Sequence, residues 1–229
     1  MTKSRALSKR KDDHNRDEAY QLDDPDKHRS YYDAWAKTYD DDFLKAEGYA
    51  APTHVAEALI QLGTDADNPV ADIGCGTGAV GLNLGKPHKD KKERAFIMDG
   101  FDISQGMLDQ ARATGQYRAL ILADFTKDQP QHQNKYGAIV SSGTFTLGHL
   151  GPDDLARALT LGRHDALVLI SIIEMHFEEK GFMGAFQDWR NRGMITEPDF
   201  QQIGLYFDPS LVTTDSTTGL LAKFRLIKT

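Results

Sequence analysis

A nine-residue stretch, VADIGCGTG from Val70 to Gly78, constrains the fold of this chain more than any other feature. An apolar run ends in the acid Asp72 and enters a glycine-alternating turn, and a helical pattern follows over Ala79–Leu84. A strand, a tight turn and a helix start bring backbone N–H groups and a helix N-terminus to a ligand. Glycine omits the Cβ where a chain turns sharply or a ligand approaches the backbone. The stretch therefore predicts a ligand site at a strand end.

Three interpretations of this turn are open. Gly76, Gly78 and Gly81 fit the dinucleotide pattern GxGxxG, which is a weak signal because it needs only three glycines. Asp72 favours a different ligand, since a carboxylate at the strand tip suits an amine or hydroxyl and would repel a pyrophosphate. The third interpretation is a glycine-rich turn that binds nothing.

Composition limits the class of protein. The chain has 229 residues, enough for one well-buried domain, and its single cysteine cannot form an internal disulfide. The net charge of −7 disfavours nucleic acid as a partner, and a solvated loop is the simpler interpretation of the basic run 86–94. No apolar run approaches the roughly 20 residues of a membrane span. We expect a cytoplasmic protein with no membrane partner, and its oligomeric state is open.

The chain divides into three predicted segments. Residues 1–28 are polar and dense in charges of both signs, so we expect a mobile N-terminal extension. The pattern over residues 30–63 predicts two lid helices, and the first has an aromatic face. Pro52 begins the second helix, in which Val55, Leu59 and Ile60 are expected to be buried. Residues 66–229 predict the core sheet, which completes a single domain over 29–229.

Strands and helices alternate through the core segment. The predicted strands are 70–73, 95–101, 119–123, 137–141, 166–173, 201–207 and 219–227, and the predicted helices are 79–84, 104–113, 153–161 and 182–192. Such alternation indicates an α/β fold with a doubly wound, mostly parallel sheet. Ligands of these sheets lie over the carboxyl ends of the strands. Asp102, Asp124 and Ser141 follow the second, third and fourth strands, so we expect them at one edge with the glycine turn.

The residues at these tips carry a family resemblance. Asp72 with its glycines resembles the first motif of class I S-adenosylmethionine-dependent methyltransferases, GFDIS with Met107 resembles the second-strand motif, and Ala-Asp-Phe at 123–125 resembles the third. The segment from Tyr31 to Pro152 is similar to the methyltransferase-like proteins of the Williams–Beuren syndrome region. The resemblance implies a Rossmann-like seven-stranded sheet ordered 3-2-1-4-5-7-6 and S-adenosylmethionine as cofactor. It implies cofactor contacts from Trp35, Tyr39, Asp72, Gly74, Cys75, Gly76, Gly78, Asp102, Ile103, Met107, Asp124, Phe125 and Ser141.

Two features depart from the family pattern. About thirty residues separate Asp72 from Asp102, which is wider than usual and indicates an inserted surface loop over 87–94. The fourth strand ends in SSGTF and lacks the Asn/Asp-Pro-Pro-aromatic motif of enzymes that methylate amines of nucleic acids. A small-molecule acceptor is therefore expected.

Methyl transfer from a sulfonium needs alignment and the exclusion of water, and a base only if the acceptor holds its proton tightly. His149 is the first candidate for that base, with Glu174 and His176 next. No metal is expected, because Glu174, His176, Glu178 and Glu179 would alternate between faces. Two alternatives to the methyltransferase remain, a nicotinamide-dependent oxidoreductase that uses the glycine turn and a non-catalytic cofactor-binding protein.

Overall fold

The computed structural model describes residues 14–86, 95–212 and 216–228. The predicted loop 87–94 and residues 1–13 of the predicted extension lie outside these residues. One seven-stranded sheet organises the described chain, in the order β3-β2-β1-β4-β5-β7-β6. The predicted order is confirmed. The strands are β1 Val70–Ile73, β2 Met98–Asp102, β3 Tyr117–Leu122, β4 Tyr136–Phe145, β5 Gly162–Ile173, β6 Asp199–Gly204 and β7 Thr218–Arg225.

The sheet is parallel except at one strand. β1 pairs in parallel with β2 and β4, whereas β7 runs antiparallel to both of its neighbours, β5 and β6. The predicted mostly parallel sheet is confirmed. β1 therefore lies between β2 and β4. The strands β2 and β3 extend the sheet on one side of β1, and β4 begins the other side. The crevice formed where the strand order reverses is the usual ligand site of such folds.

Eight α-helices flank the described sheet: α1 Arg16–Ala19, α2 Pro25–Trp35, α3 Ala51–Leu62, α4 Ala79–Leu84, α5 Gln105–Ala113, α6 Pro152–Leu159, α7 Glu174–Glu179 and α8 Phe182–Asn191. Their starts follow from local sequence. Asp24 caps α2 by accepting hydrogen bonds from the N–H groups of residues 26 and 27, and Ser104 caps α5 by accepting one from Met107. Pro52 lies in the first turn of α3, as predicted.

Apolar residues on both faces of the sheet form the core. β5 is buried from Ala166 to Ile173, which explains why its sequence is a continuous apolar run. On one face α6 and α8 cover the sheet. On the other, α3 packs through Val55 and Leu59, both fully buried, while Ile60 is partly exposed. The central strands are thus held rigidly, and their carboxyl ends can position side chains accurately.

Residues 14–28 pack against the rest of the chain, although the sequence predicts a mobile extension there. Arg16 is only 6% exposed, because its guanidinium donates to Tyr206 Oη at 2.8 Å and forms an ion pair with Glu47. Ala19 is buried in the same core cluster as α3. The segment also lies on the loop after β4, where a Cβ at Gly148 would be 2.4 Å from the Tyr20 carbonyl oxygen. Arg16 has partners far along the chain, which a local pattern does not reveal.

Smaller differences concern the strand ends. β4 extends four residues past the predicted end, through Gly143 with φ +77°. Residues 174–179 form α7, where alternation between faces was expected. No helix in the described parts of the chain is long and apolar enough to cross a membrane.

Candidate functional site

A cavity of about 260 Å³ lies over the carboxyl ends of β1 to β4. Its floor consists of the glycine turn after β1, the tips of β2 and β3, and the end of β4. Residues from α2 and from the segment between α2 and α3 close it from above. The cavity therefore occupies the crevice that the sheet order predicts.

The glycine turn has the conformation that the sequence predicted. Gly74, Gly76 and Gly78 all have positive φ, at +62°, +54° and +94°. A Cβ at Gly74 would lie 2.0 Å from Thr144 Oγ1, because the turn packs against the end of β4. A Cβ at Gly76 would meet no atom of the described chain within 4 Å, since that position faces open space. Gly74 is therefore required by packing, whereas Gly76 leaves room for a ligand.

Asp72 is fully buried beneath this turn and does not line the cavity. One carboxylate oxygen accepts a hydrogen bond from Tyr117 Oη at 2.7 Å, and the other has no partner among the described residues. Burial raises the pKa of Asp72 to about 7, and the tyrosine hydrogen bond opposes this rise. A buried polar atom without a partner is costly. Its free oxygen would accept a donor brought by a ligand or by a water beside it.

Asp102 lies at the tip of β2 and lines the cavity. Its two oxygens accept hydrogen bonds from Gly76 N at 2.8 Å and from Ser104 N at 2.9 Å. These two bonds fix the carboxylate between the glycine turn and the start of α5. Burial raises the pKa of Asp102 to about 6, against the effect of the backbone hydrogen bonds. Each oxygen retains a lone pair for a ligand hydroxyl, so the group suits a bidentate acceptor role.

The tip of β3 supplies a second acid. Asp124 accepts hydrogen bonds from the N–H of Thr126 at 3.0 Å and from its hydroxyl at 2.6 Å, and it pairs with Lys127. Although burial raises the pKa of Asp124, these contacts lower it below the usual range. The neighbouring Phe125, together with Ile103 and Met107 beside Asp102, gives this end of the cavity an apolar lining. An aromatic heterocycle with an exocyclic donor fits such a surface.

Four rings, which we call the aromatic roof, lie at the other end of the cavity: Tyr32, Tyr39 and Tyr49 line it, and Phe43 packs between Tyr39 and Tyr49. Successive ring centroids lie 6.2, 5.3 and 4.9 Å apart. The hydroxyl of Tyr49 reaches the end of β4, 3.3 Å from where a Cβ at Gly143 would be. Burial raises the pKa values of the Tyr32, Tyr39 and Tyr49 hydroxyls, so these stay protonated.

Two aspartates bind the roof segment to the floor. Asp33 in α2 accepts hydrogen bonds from the Ser104 hydroxyl at 2.6 Å and from Gly106 N at 2.9 Å. Asp40 accepts one from the Thr77 hydroxyl in the glycine turn, at 2.6 Å. The roof is therefore tied to the same two loops that would hold a ligand.

His149 lines the cavity but has both ring nitrogens engaged. Nδ1 lies 2.8 Å from the Leu147 carbonyl oxygen and Nε2 lies 2.9 Å from Tyr32 Oη. A neutral ring that donates through Nδ1 and accepts from Tyr32 satisfies both contacts. The rings of Tyr20, His28 and Tyr32 surround it, with His28 at 4.3 Å. Burial, with His28 nearby, lowers the pKa of His149 to about 3. This environment disfavours the predicted role as a general base.

Most of the predicted site residues line the cavity: Tyr39, Gly74, Cys75, Gly76, Asp102, Ile103, Met107, Asp124, Phe125 and His149. Four predicted contacts lie behind it instead. Trp35 supports the roof with its indole N–H on Asp42, Gly78 is the N-cap of α4, and Ser141 donates its hydroxyl to the Ile73 carbonyl oxygen. The fourth is Asp72. These positions act on the shape of the site rather than on a ligand surface.

The second-choice bases lie elsewhere. Glu174 accepts hydrogen bonds from Gln202 and Thr218, and His176 Nε2 bonds to the Leu150 carbonyl oxygen. Neither lines the cavity. Within the described residues, no group of three or more His, Cys, Asp or Glu side chains is arranged to hold a metal.

Sequence reasoning missed three parts of the lining. Tyr32 and Tyr49 lie in the predicted lid segment 30–63 but are not among the predicted cofactor contacts. Ser142, Gly143 and Thr144 belong to the unpredicted extension of β4. Asp23, Asp24, Pro25 and His28 belong to the segment expected to be mobile. The capping signature of Asp24 before Pro25 could have located the start of α2.

Comparison with known proteins gives the family of this domain. Residues 70–163 match the family described as methyltransferase domain. The human methyltransferase-like protein 27, a Williams–Beuren region protein, is 32% identical over 124 residues. That match covers 52% of this chain and 47% of the human protein, so the chain spans about half of its relative's length. Residues 70–163 thus have the sequence of a methyltransferase domain.

Solved structures of methyltransferases superimpose on this fold. The magnesium protoporphyrin IX methyltransferase of Synechocystis, determined with bound S-adenosylhomocysteine, superimposes with a TM-score of 0.58 at 14% identity and covers 90% of this chain and all of that one. A methyltransferase of Haloferax volcanii in complex with the activator Trm112 gives 0.58 at 16% identity, over 86% and 98% of the two chains. The predicted fold is thus confirmed, and residues 70–163 match the predicted kind of domain.

The residues present fit S-adenosylmethionine. The open space at Gly76 gives room for a ligand, and the free lone pairs of Asp102 offer acceptors for the two ribose hydroxyls of the cofactor. The apolar surface beside Asp124 suits an adenine. Bound there, S-adenosylmethionine supplies a methyl group activated by a sulfonium.

Proposed function

We propose that this protein transfers the methyl group of S-adenosylmethionine to a small-molecule acceptor held at the end of β4 beneath the aromatic roof. The observation that carries the proposal is the continuity of one cavity from Asp102 and Asp124 to Tyr49 and His149. A donor bound at the acids and an acceptor bound under the roof would share that space, with water largely excluded. Holding the two reactants in line supplies much of the rate enhancement for such a displacement.

The individual cofactor contacts are part of this proposal. Asp102 accepts from both ribose hydroxyls, Asp124 accepts from the adenine amine, and the backbone of the glycine turn carries the methionine part. Tyr39 offers its ring face to the sulfonium, since aromatic faces attract cations. The supporting facts are that each of these residues lines the cavity and that the two acids are held by backbone or side-chain donors.

We propose further that residues from about 14 onward act as one domain, with lid helices over 30–63 and a core over 66–229. The packed Arg16 supports an earlier boundary than residue 28. A cytoplasmic location, suggested by the single buried cysteine, belongs to the same proposal. So does the absence of a nucleic-acid partner, for which the net charge of −7 is the support.

Calorimetric titration with S-adenosylhomocysteine and, separately, with NAD tests the cofactor assignment. Binding of S-adenosylhomocysteine alone is expected, and binding of NAD alone would replace the proposal by the oxidoreductase alternative. A metabolite library screened for release of S-adenosylhomocysteine then tests transfer. If the protein binds the cofactor but no member of a broad library releases product, the non-catalytic alternative gains support.

A further inference from the structure

The chemical class of the acceptor follows from the half of the cavity that the cofactor would leave free, and this inference rests on the proposed function. With the acids of β2 and β3 assigned to the cofactor, the free half lies at the end of β4. Its walls are Ser142, Gly143 and the loop Gly148–Leu150, and its cover is the aromatic roof. The aromatic rings that cover this half suit a small molecule with an apolar body.

The lining carries no positive charge. Among the described residues that line the cavity there are five aspartates and two histidines but no lysine or arginine. Burial lowers the pKa values of His28 and His149, so both rings stay neutral near pH 7. An anionic acceptor would lose its hydration without gaining a cationic partner, which is expensive. A carboxylate or phosphate acceptor is therefore disfavoured.

Each candidate base among the described lining residues already has a hydrogen-bond or ion-pair partner. His149 Nε2 is within hydrogen-bond distance of Tyr32 Oη. The carboxylate of Asp24 caps α2, and that of Asp154 accepts from Gly151 N at 2.8 Å and pairs with Arg157. Asp23 is strongly exposed and pairs with Lys27. An alcohol needs its proton removed as it attacks, so it is a poor acceptor here. A neutral amine has a lone pair and needs no such help.

We propose that the acceptor is a small amine, which the aromatic roof holds and which this protein methylates at nitrogen. The nitrogen lone pair forms the new C–N bond, the C–S bond breaks, and its electron pair returns to sulfur. The positive charge thereby passes from sulfur to nitrogen, and the ammonium product loses its proton to water after release. The faces of Tyr32, Tyr39 and Tyr49 stabilise the charge that nitrogen acquires, because aromatic faces attract cations.

The test uses the full chain and matched acceptors. Primary amines on several aliphatic, aromatic and heteroaromatic skeletons are each compared with the alcohol and the carboxylic acid on the same skeleton, for example 2-phenylethylamine, 2-phenylethanol and 3-phenylpropanoate. Release of S-adenosylhomocysteine and a product heavier by one methylene are expected with amines only. Transfer to an alcohol or acid in preference, or to none of the amines, overturns the acceptor class. The proposed function fails separately, if S-adenosylhomocysteine does not bind or if no member of the broader metabolite library releases product.

The pH profile separates a free amine from a base on the protein. An active amine is compared with its fluorinated analogue, in which fluorine lowers the pKa of the amine. In each case kcat/KM should rise with pH up to the amine's own pKa and then level, so the break moves with the substrate. A break at one fixed pH for both amines would overturn the proposal, because it would report a titrating group of the protein.

Two variants of Tyr49 test the roof. Y49L removes the ring and should lower kcat/KM for the amine about five- to thirtyfold, as expected for a lost cation–π contact. Y49F keeps the ring face and should stay within about twofold of wild type. Affinity for S-adenosylhomocysteine, measured by calorimetry, should be similar in all three proteins and shows that the variants are folded. Equal losses in Y49L and Y49F would contradict the role of the ring face.

Discussion

Replacing Asp102 tests the cofactor site at its most constrained point. Its carboxylate accepts two backbone hydrogen bonds, at 2.8 and 2.9 Å, and has one lone pair on each oxygen for the ribose. A hydrogen bond to a charged group contributes about 1.5–3 kcal/mol, and part of the loss is recovered when water solvates the freed hydroxyls. We therefore expect D102A to weaken S-adenosylhomocysteine binding by about 1.5–3 kcal/mol in total, roughly ten- to a hundredfold in Kd.

The pKa of Asp102 also predicts the direction in which cofactor binding changes with pH. Burial raises the pKa of Asp102 to about 6, so the carboxyl becomes protonated in the ligand-free protein as the pH falls through that value. A protonated carboxyl loses acceptor capacity, and binding of S-adenosylhomocysteine should weaken below about pH 6. For folding the sign is opposite. The native state holds a proton that the unfolded chain has released, so this group favours folding more as the pH falls toward 4.

Calorimetry on D102A, D102N and D99N completes the design. Asp99 lies on the same strand, is equally buried, and binds Arg118 and Tyr136 away from the cavity. D99N should therefore lose thermal stability but keep the wild-type Kd. D102N should lose affinity and also the pH dependence of binding near pH 6. An unchanged Kd in a folded D102A protein would refute the ribose assignment and reduce Asp102 to a support of the helix start.

Three further predictions concern the floor and the roof. Y117F leaves the buried carboxylate of Asp72 without its hydrogen-bond donor, so the free energy of unfolding in urea at pH 8 should fall by about 1–3 kcal/mol. The loss should be smaller at pH 6, where Asp72 is protonated. An equal loss at both pH values would contradict this. G74A should prevent stable folding, because its Cβ would overlap Thr144, whereas G76A should fold with about 1–2 kcal/mol of backbone strain and lose cofactor affinity by calorimetry; equal melting temperatures for the two would be inconsistent with the turn geometry. H149Q should lower kcat less than about tenfold and leave the pH profile unaltered, whereas the loss of a general base costs about a hundredfold or more, and a loss of that size would restore His149 as the base.

The sheet and its tips could be predicted because their signals are local. The apolar run of β5 and the strand–turn–helix order around Asp72 have few alternative structures, and the acids after β2 and β3 meet once the strands are parallel. The strand order itself came from the family resemblance. The ends of the strands were predicted less accurately. β4, for example, continues through Gly143, a glycine in the left-handed region that a pattern of alternation does not predict.

The roof and the N-terminal segment could not be predicted, because their stability comes from distant partners. Tyr49 is placed by an isolated bridge to Tyr206, and Arg16 by contacts 31 and 190 residues away. A dense mixture of charges is normally solvated, so the sequence around Arg16 indicates exposure. Only the tertiary structure shows that this arginine is buried. Predictions of a truncation boundary in such segments therefore need the packed structure.

The close contact at Gly148 suggests a route for enzyme engineering. Its backbone has φ +76°, and a side chain there would collide with the carbonyl oxygens of Tyr20 and Leu22. The N-terminal segment and the loop after β4 can thus pack together only because residue 148 has no side chain. Enlarging that residue would push the two apart at the margin of the cavity. Libraries that pair changes at Gly148 with changes at Leu22 would be a direct starting point for accepting bulkier substrates.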